Sequence, residues 1–162
     1  MKKLKIYLDT SVISHLYAED TPDKMVDTNR LWEDLKSGKY DIFISTVTVV
    51  EIQRCSEPKL SKMIARLDEI DFHILEETDE INNLADEYVN NGVLTKKSMD
   101  DCMHIAFAVV SNSDVIVSWN FKHLVNYKTI SKVKIVNAIN RYKEISIITP
   151  TMLLEEGEEN EG

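Results

Sequence analysis

The sequence predicts an α/β fold in which a mostly parallel sheet of about five strands lies between two layers of helices. Short apolar runs typical of buried strands alternate along the chain with longer segments that have helical patterns. Two of these runs end at oxygen-bearing side chains: residues 4–8 lead into Asp9, and residues 115–117 lead into Ser118 and Asn120. Open α/β folds carry their sites at the carboxyl edge of the sheet, so the pattern predicts a polar site there.

The first half of the chain is read as alternating strands and helices. Pro22 favours a helix start and Gly38 a helix end. The β-branched segment 47–54 fits a strand by composition, and we interpret it as a helix because of a family resemblance given below. The predicted elements are a strand at 4–8, helices at 12–17 and 22–37, a strand at 40–45, and helices at 47–54 and 58–70.

The second half continues the same alternation. The 98–110 segment has the strongest helical pattern, and the mixed segment 121–144 is read as partly helical. In that mixed segment Val133, Ile135 and Val136 are expected to be buried. The other predicted elements are a strand at 72–75, a helix from Thr78 to about residue 91, and strands at 115–118 and 145–149.

Length and charge indicate one domain at residues 1–154 followed by an acidic, disordered tail at 155–162. The chain has 162 residues and a net charge of −9, of which the tail contributes five negative charges. The remaining acidity argues against binding nucleic acid by bulk charge, but an enzyme that meets phosphates through a bound cation stays possible.

We expect a cytoplasmic protein without a disulfide framework. No apolar run approaches the length of a membrane span, and the N-terminus enters a short strand-like run without a secretory signal. The two cysteines, Cys55 and Cys102, do not have the spacing of a zinc site.

Four oxygen-bearing side chains are candidates for a metal site, and each also has a purely structural interpretation. Asp9 and Asn120 could cap the helical segments that follow them. Glu51 could pair with Arg54 three residues later, although it lies in an apolar stretch where an unpaired carboxylate is costly. Asp101 follows a serine at a capping-box-like spacing. The order of the four along the chain carries more information than any one of them.

That order resembles the PIN-domain nucleases, including the VapC toxins. Asp9-Thr10-Ser11 resembles their first motif, and Ser45 through Glu51-Ile52 resembles the second. The third and fourth are the most specific: residues 101–108 read Asp-Cys-Met-His-Ile-Ala-Phe-Ala, and residues 117–124 read Val-Ser-Trp-Asn-Phe-Lys-His-Leu. Residues 147–150 resemble the last strand of the family, and the whole match spans about residues 3–154.

The resemblance implies a PIN-like three-layer α/β/α fold and a ribonuclease. Asp9, Glu51 and Asp101 would hold Mg²⁺ or Mn²⁺, and with Asn120 they would form the catalytic set. Asn120 stands where many members carry another Asp. The site therefore has one negative charge fewer, which puts a second metal in doubt. The implied reaction is hydrolysis of an RNA phosphodiester by an in-line water, with the cation lowering the pKa of that water.

Several neighbours are candidates for supporting roles. Ser11 is preferred over Thr10 as a partner of the nucleophilic water or a phosphate, and Asp100 is interpreted as a helper or a surface residue. His104 could orient Asp101, yet a lone histidine on an apolar helix is more often a satisfied core group. His123 could meet substrate, and possible contacts to RNA phosphates are Lys96, Lys97 and Lys122.

The resemblance also suggests a biological role: the toxin of a type II toxin–antitoxin pair, with an antitoxin partner and a homodimeric assembly. A solitary RNA-processing nuclease is one alternative, and a non-catalytic PIN-like module that binds RNA or protein is another. A haloacid-dehalogenase-type phosphatase would need an acid where Ser11 stands. A response-regulator receiver domain would need an acidic pair near its start, which this chain lacks.

Overall fold

The computed structural model describes the backbone of residues 2–161 and the side chains of residues 2–157. Its centre is a sheet of five parallel strands in the order β3-β2-β1-β4-β5. This confirms the predicted α/β class with a parallel central sheet. The strands are β1 Leu4–Leu8, β2 Tyr40–Ser45, β3 His73–Leu75, β4 Val115–Val117 and β5 Ser146–Ile148.

Helices follow the strands and cover both faces of the sheet. Short 3₁₀ turns at His15–Tyr17 and Lys96–Ser98 lie beside α1 and α6. The helices are α1 Thr10–Ser14, α2 Pro22–Lys36, α3 Thr46–Gln53, α4 Lys59–Leu67, α5 Asp79–Asn90, α6 Met99–Val110, α7 Tyr127–Ile139 and α8 Pro150–Glu161. Within the described residues, none of them is both long and apolar enough to cross a bilayer.

Alternation along the central strands produces two hydrophobic cores. Successive side chains of a strand point to opposite faces, so Ile6 and Leu8 join a core with residues of α1, α2 and α4, whereas Tyr7 joins a core with α5, α6 and α7. In β4, Ile116 likewise faces the second core, while its two neighbours face the first. The sheet therefore lies buried between two helical layers, as a parallel sheet requires.

The β-branched segment after β2 is helical, as predicted. Ser45 caps α3: its Oγ accepts a hydrogen bond from the Thr48 N–H at 3.4 Å, and the Thr48 hydroxyl accepts one from the Ser45 N–H. This reciprocal capping satisfies two backbone donors that a strand would have paired in the sheet. Glu51 therefore lies on a helix that packs against α1 and α6.

The C-terminal third differs from expectation in two places. Ile135, expected to be buried, is 60% exposed because it lies on the outer face of α7, while Val133 and Val136 on the inner face are buried. Helix α8 runs to Glu161, through most of the segment 155–162 for which the sequence predicts disorder. Glutamate is a good helix former, so the acidic run can extend a helix that begins at Pro150. The side chains beyond residue 157 lie outside the described part of the chain, and the domain boundary at 154 stays a prediction.

Candidate active site

Asp9 lies at the carboxyl end of β1, in the crevice between β1 and β4. The sheet order reverses there, since β2 and β3 lie on one side of β1 and β4 and β5 on the other. Such a switch point is where open α/β sheets bind ligands. Asp9 is buried, and its Oδ1 accepts hydrogen bonds from the Ser11 N–H at 3.1 Å and the Ser11 hydroxyl at 2.5 Å. Asp9 therefore both caps α1 and faces the crevice.

Two serine hydroxyls tie Asp9 to the loop after β4. Ser118 Oγ donates to Asp9 Oδ2 at 2.7 Å and accepts the Asn120 N–H at 2.9 Å. Ser11 Oγ accepts the Trp119 N–H at 2.8 Å. The carboxylate is therefore held from both sides, and the loop from Ser118 to Asn120 is fixed against the end of β1.

Glu51 reaches the same crevice from α3. Its Oε1 accepts hydrogen bonds from the Thr10 hydroxyl at 2.9 Å and from His104 Nε2 at 2.5 Å. Arg54, the neighbour that could have paired with Glu51, instead approaches Asp100 at 3.7 Å. Thr10 and Ser11 thus each donate to a different carboxylate, Glu51 and Asp9 respectively.

His104 links Glu51 to the buried core. Its Nδ1 lies 2.6 Å from the Tyr7 hydroxyl, which in turn donates to Ser45 Oγ at 2.8 Å. A protonated ring can donate to Tyr7 and to Glu51 at the same time. Burial alone would lower the pKa of His104, but Tyr7, Glu51 and Asp9 together raise it well above its ordinary value.

Asp101 enters from the first turn of α6 and is held by the loop after β4. Its Oδ2 accepts a hydrogen bond from His123 Nδ1 at 2.8 Å, and its Oδ1 lies 3.4 Å from the Asn120 amide nitrogen. The Asn120 amide oxygen accepts the His123 N–H at 2.9 Å. In this orientation Asn120 turns its nitrogen, not its oxygen, toward the carboxylate.

The carboxylates form an electrostatically strained group. Burial raises the pKa of Asp9 above its ordinary value, opposed by His104 and the serine hydroxyls, and the charge of Asp101 raises it further. Burial also raises the pKa of Asp101, with a smaller contribution from the charge of Glu51. In Glu51 the cost of burial is outweighed by His104 and Thr10, which lower its pKa. A bound cation would relieve the repulsion among the three.

The three carboxylates are suitable ligands for a hard divalent cation, although their oxygens do not already converge on one point. Carboxylate oxygens are the ligands that Mg²⁺ prefers, usually together with several waters. In the part of the chain that the structure describes, no group of three or more His, Cys, Asp or Glu side chains is positioned to hold a metal. Each of the three carboxylates bonds instead to protein donors, so a metal would have to replace some of those contacts.

The other residues proposed from the sequence fall into two groups. His104 orients Glu51 rather than Asp101, and His123 contacts Asp101 directly. Asp100, Lys96, Lys97 and Lys122 are exposed and make no contact with the three carboxylates. The structure thus brings together Asp9, Thr10, Ser11, Glu51, Asp101, His104, Asn120 and His123, and leaves Asp100 and the three lysines at the surface.

Three residues of this hydrogen-bonded network were not assigned a role from the sequence. Ser118 was recognised only as a polar residue at the end of a strand, and the structure shows that it donates to Asp9. Ser45 was noted only as the start of the second motif, and Tyr7 lies within a predicted strand, where nothing local distinguishes it from a core residue.

Comparisons with known proteins bear on the family and the fold. The family model described as "PIN domain" matches residues 6–122. The crystal structure of VapBC2 from Rickettsia felis bound to a promoter DNA fragment is similar, with a TM-score of 0.54, 15% identity, and coverage of 90% of this chain and 98% of that one. Mycobacterium tuberculosis VapC20, a Sarcin-Ricin loop cleaving toxin, also has a TM-score of 0.54, with 17% identity and coverage of 73% and 92%. No curated protein sequence matches the chain.

Proposed function

The chain belongs to the PIN-domain family, and on that basis we propose that it is a divalent-metal-dependent endoribonuclease that hydrolyses RNA phosphodiester bonds. The observation that carries this proposal is the convergence of Asp9, Glu51 and Asp101 at the switch point of the sheet. They come from the end of β1, from α3 and from α6, far apart in sequence. Even so, the charge of Asp101 raises the pKa of Asp9, and the charge of Glu51 raises the pKa of Asp101. A purely structural role gives no reason to gather three acids in one crevice.

Asp9, Glu51 and Asp101 would hold Mg²⁺ or Mn²⁺. When bound, the cation would lower the pKa of a water and offset charge on the attacked phosphate. The chain's own residues position the ligands: Ser11 and Ser118 fix Asp9, and His104 fixes Glu51.

Asn120 takes a positioning role in this proposal. Its amide nitrogen faces Asp101 and its oxygen closes the turn to His123, so it orients the carboxylate together with the His123 ring. Such hydrogen-bonding partners of metal ligands fix ligand orientation and tune metal affinity.

The decisive experiment compares two adjacent aspartates. We expect the wild-type protein to cut a mixed pool of single-stranded and structured RNAs with Mg²⁺ or Mn²⁺, and not with EDTA. Asp101→Asn should abolish cleavage. Asp100→Asn is the matched control, since Asp100 is exposed and faces Arg54 at 3.7 Å; it should retain wild-type activity.

The result of this comparison separates catalysis from binding. Equal loss in both variants would indicate a general effect on α6 rather than a role for Asp101. No cleavage by any form, with no metal bound at millimolar concentration, would favour a non-catalytic module that binds RNA or protein. The net charge of −9 and the replacement of an acid by Asn120 are the observations that keep this alternative open.

We further propose that the protein is the toxin of a type II toxin–antitoxin pair. The likeness to VapBC2 and VapC20 over most of the chain supports this role. The proposal includes an antitoxin protein as partner and a homodimer as the assembly. Expression in bacteria should arrest growth, and Asp101→Asn should not. A wild-type protein that cuts RNA but leaves growth unaffected would favour a solitary RNA-processing nuclease.

A further inference from the structure

A recess of about 440 Å³ opens between α7 and β5, the last strand at one edge of the sheet. One wall consists of residues 130–138 of α7, and the other of residues 142–147, which lead into β5. None of the residues proposed for the active site is among the described residues that line it. The volume is within the range of small-molecule sites. The recess is therefore a candidate for a second binding site.

Much of this recess is apolar and reaches the second hydrophobic core. Val133 and Ile147 line it and are buried members of that core, and Ile145 packs against them. Ile130, 37% exposed, adds further apolar surface. Covering such surface removes it from water, which is favourable. The recess therefore favours a ligand with an apolar body.

A hydrogen-bond donor without a partner lies in this apolar lining. Asn137 is 3% exposed, and its Oδ1 accepts the Tyr88 hydroxyl at 2.5 Å. Its backbone carbonyl accepts the Tyr142 N–H at 2.9 Å, so the residue is held at two points. Asn137 Nδ2 makes no hydrogen bond to a described residue, yet it is not sealed from solvent, so its N–H groups face the recess that Asn137 lines. A buried unpaired donor is costly, which favours a ligand that supplies an acceptor.

The charges that line the recess cancel. Lys134 Nζ lies 3.3 Å from Glu144 Oε1, and both side chains are exposed. Among the described lining residues there is no other Lys, Arg, Asp or Glu. An anionic group buried beside the neutral Asn137 amide would have no unpaired cation to offset its loss of hydration. The acceptor of the ligand is therefore expected to be neutral.

We propose that this recess binds a small neutral molecule that has an apolar body and one carbonyl group. The carbonyl oxygen accepts hydrogen bonds from Asn137 Nδ2, and the apolar body contacts Val133 and Ile147. The inference goes beyond the proposed ribonuclease function, because it assigns a second site at the β5 edge of the sheet, away from the crevice between β1 and β4.

An NMR titration of the full chain with three probes of similar shape tests this assignment. The probes are cyclohexanecarboxamide, cyclohexanecarboxylate and cyclohexylmethylammonium, and the readout is the side-chain amide signal of Asn137. With the carboxamide we expect a saturable shift and a Kd of about 1–10 mM, as for a fragment of this size. The carboxylate should bind more weakly. The ammonium, which offers no acceptor, should not shift the signal.

Two variants and a matched control locate the probe, with the backbone amide signals of residues 142–147 as the readout. Asn137→Asp keeps an oxygen for the Tyr88 hydroxyl but removes the N–H donors, so carboxamide binding should be lost. Ala138→Phe fills the recess from an exposed position of α7 and should also abolish binding. Ile139→Phe is the control: it is the next residue, 74% exposed and outside the lining, and should keep the wild-type Kd.

Several results would overturn the inference. No saturable shift with any probe would mean that the recess holds only water, and tighter binding of the carboxylate would exclude a neutral ligand. Binding that survives Ala138→Phe, or that is lost equally in Ile139→Phe, would place the probe elsewhere. If Asn137→Asp does not fold, Ala138→Phe decides the question. The titration uses neither RNA nor metal, so its result is independent of the ribonuclease proposal.

Discussion

At the scale of single residues, the candidate site depends on the groups that hold its acids. Each carboxylate accepts hydrogen bonds from a hydroxyl or a histidine, and these partners are themselves fixed by further contacts. His104 is held by the Tyr7 hydroxyl, and the backbone N–H of His123 by Asn120. Such support keeps side chains with unfavourable mutual charge in defined positions. The partners of the acids are therefore as informative to mutate as the acids themselves.

Replacing His123 should lower activity without destroying the site. His123→Ala removes the hydrogen bond to Asp101 Oδ2, so the carboxylate loses its orientation while its charge stays. We expect metal affinity or the cleavage rate to fall by about 10- to 100-fold, measured by metal titration of RNA cleavage. The control is His73→Ala, an exposed residue on β3 that stacks on Phe43. A similar loss in the control would contradict the assignment.

At the scale of elements, α6 is the centre of the second core and carries Asp101 in its first turn. Its residues from Cys102 to Val109 are all buried, and it packs mainly against α5. Helix α5 is in turn joined to α7 by a buried hydrogen bond in which the Tyr88 hydroxyl donates to Asn137 Oδ1 at 2.5 Å. The position of the acid thus depends on the packing of three helices.

Removing that interhelical hydrogen bond should destabilise the fold. Tyr88→Phe leaves the buried Asn137 oxygen without the tyrosine donor, which costs about 1–3 kcal/mol in the free energy of unfolding. Tyr142→Phe is the matched control, because its hydroxyl bonds to Glu80 on the exposed surface. It should change stability by less than about 0.5 kcal/mol. Equal effects in urea unfolding would contradict the structural interpretation.

At the scale of the whole molecule, the sheet order decides where chemistry can occur. Three acids from three elements meet because β1 is flanked by β2 on one side and β4 on the other. Gathering like charges there opposes folding, and burial adds to the cost for Asp9 and Asp101. Functional sites commonly carry such a cost, which ligand binding offsets.

Divalent metal should therefore stabilise the folded protein. A cation that binds only the folded state at 100 times its Kd raises the free energy of unfolding by about 2.7 kcal/mol. We expect Mg²⁺ or Mn²⁺ to raise the melting temperature of the wild type and of Asp100→Asn, and to have a smaller effect on Asp9→Asn. An equal rise in Asp9→Asn would mean that the ions bind elsewhere.

Much of the fold is readable from local sequence. The strand bounds at 4–8 and 40–45 and the helix after Ser98 were predicted closely, because apolar runs and turn residues act over a few neighbours. Helix α3 was predicted only with the help of the family resemblance, since its composition favours a strand. Ile135 was placed wrongly because an apolar residue on the outer face of a helix looks the same in sequence as one on the inner face.

The sequence by itself determined the α/β class, the family and the choice of candidate acids, because these depend on the order of residues along the chain. Only the tertiary structure decided that His104 hydrogen-bonds to Glu51 and His123 to Asp101. It also decided that Ser118 hydrogen-bonds to Asp9 and Tyr7 to His104. Those pairings join residues 53, 22, 109 and 97 positions apart. Contacts over such separations are set by how the sheet and helices pack, and no local pattern encodes them.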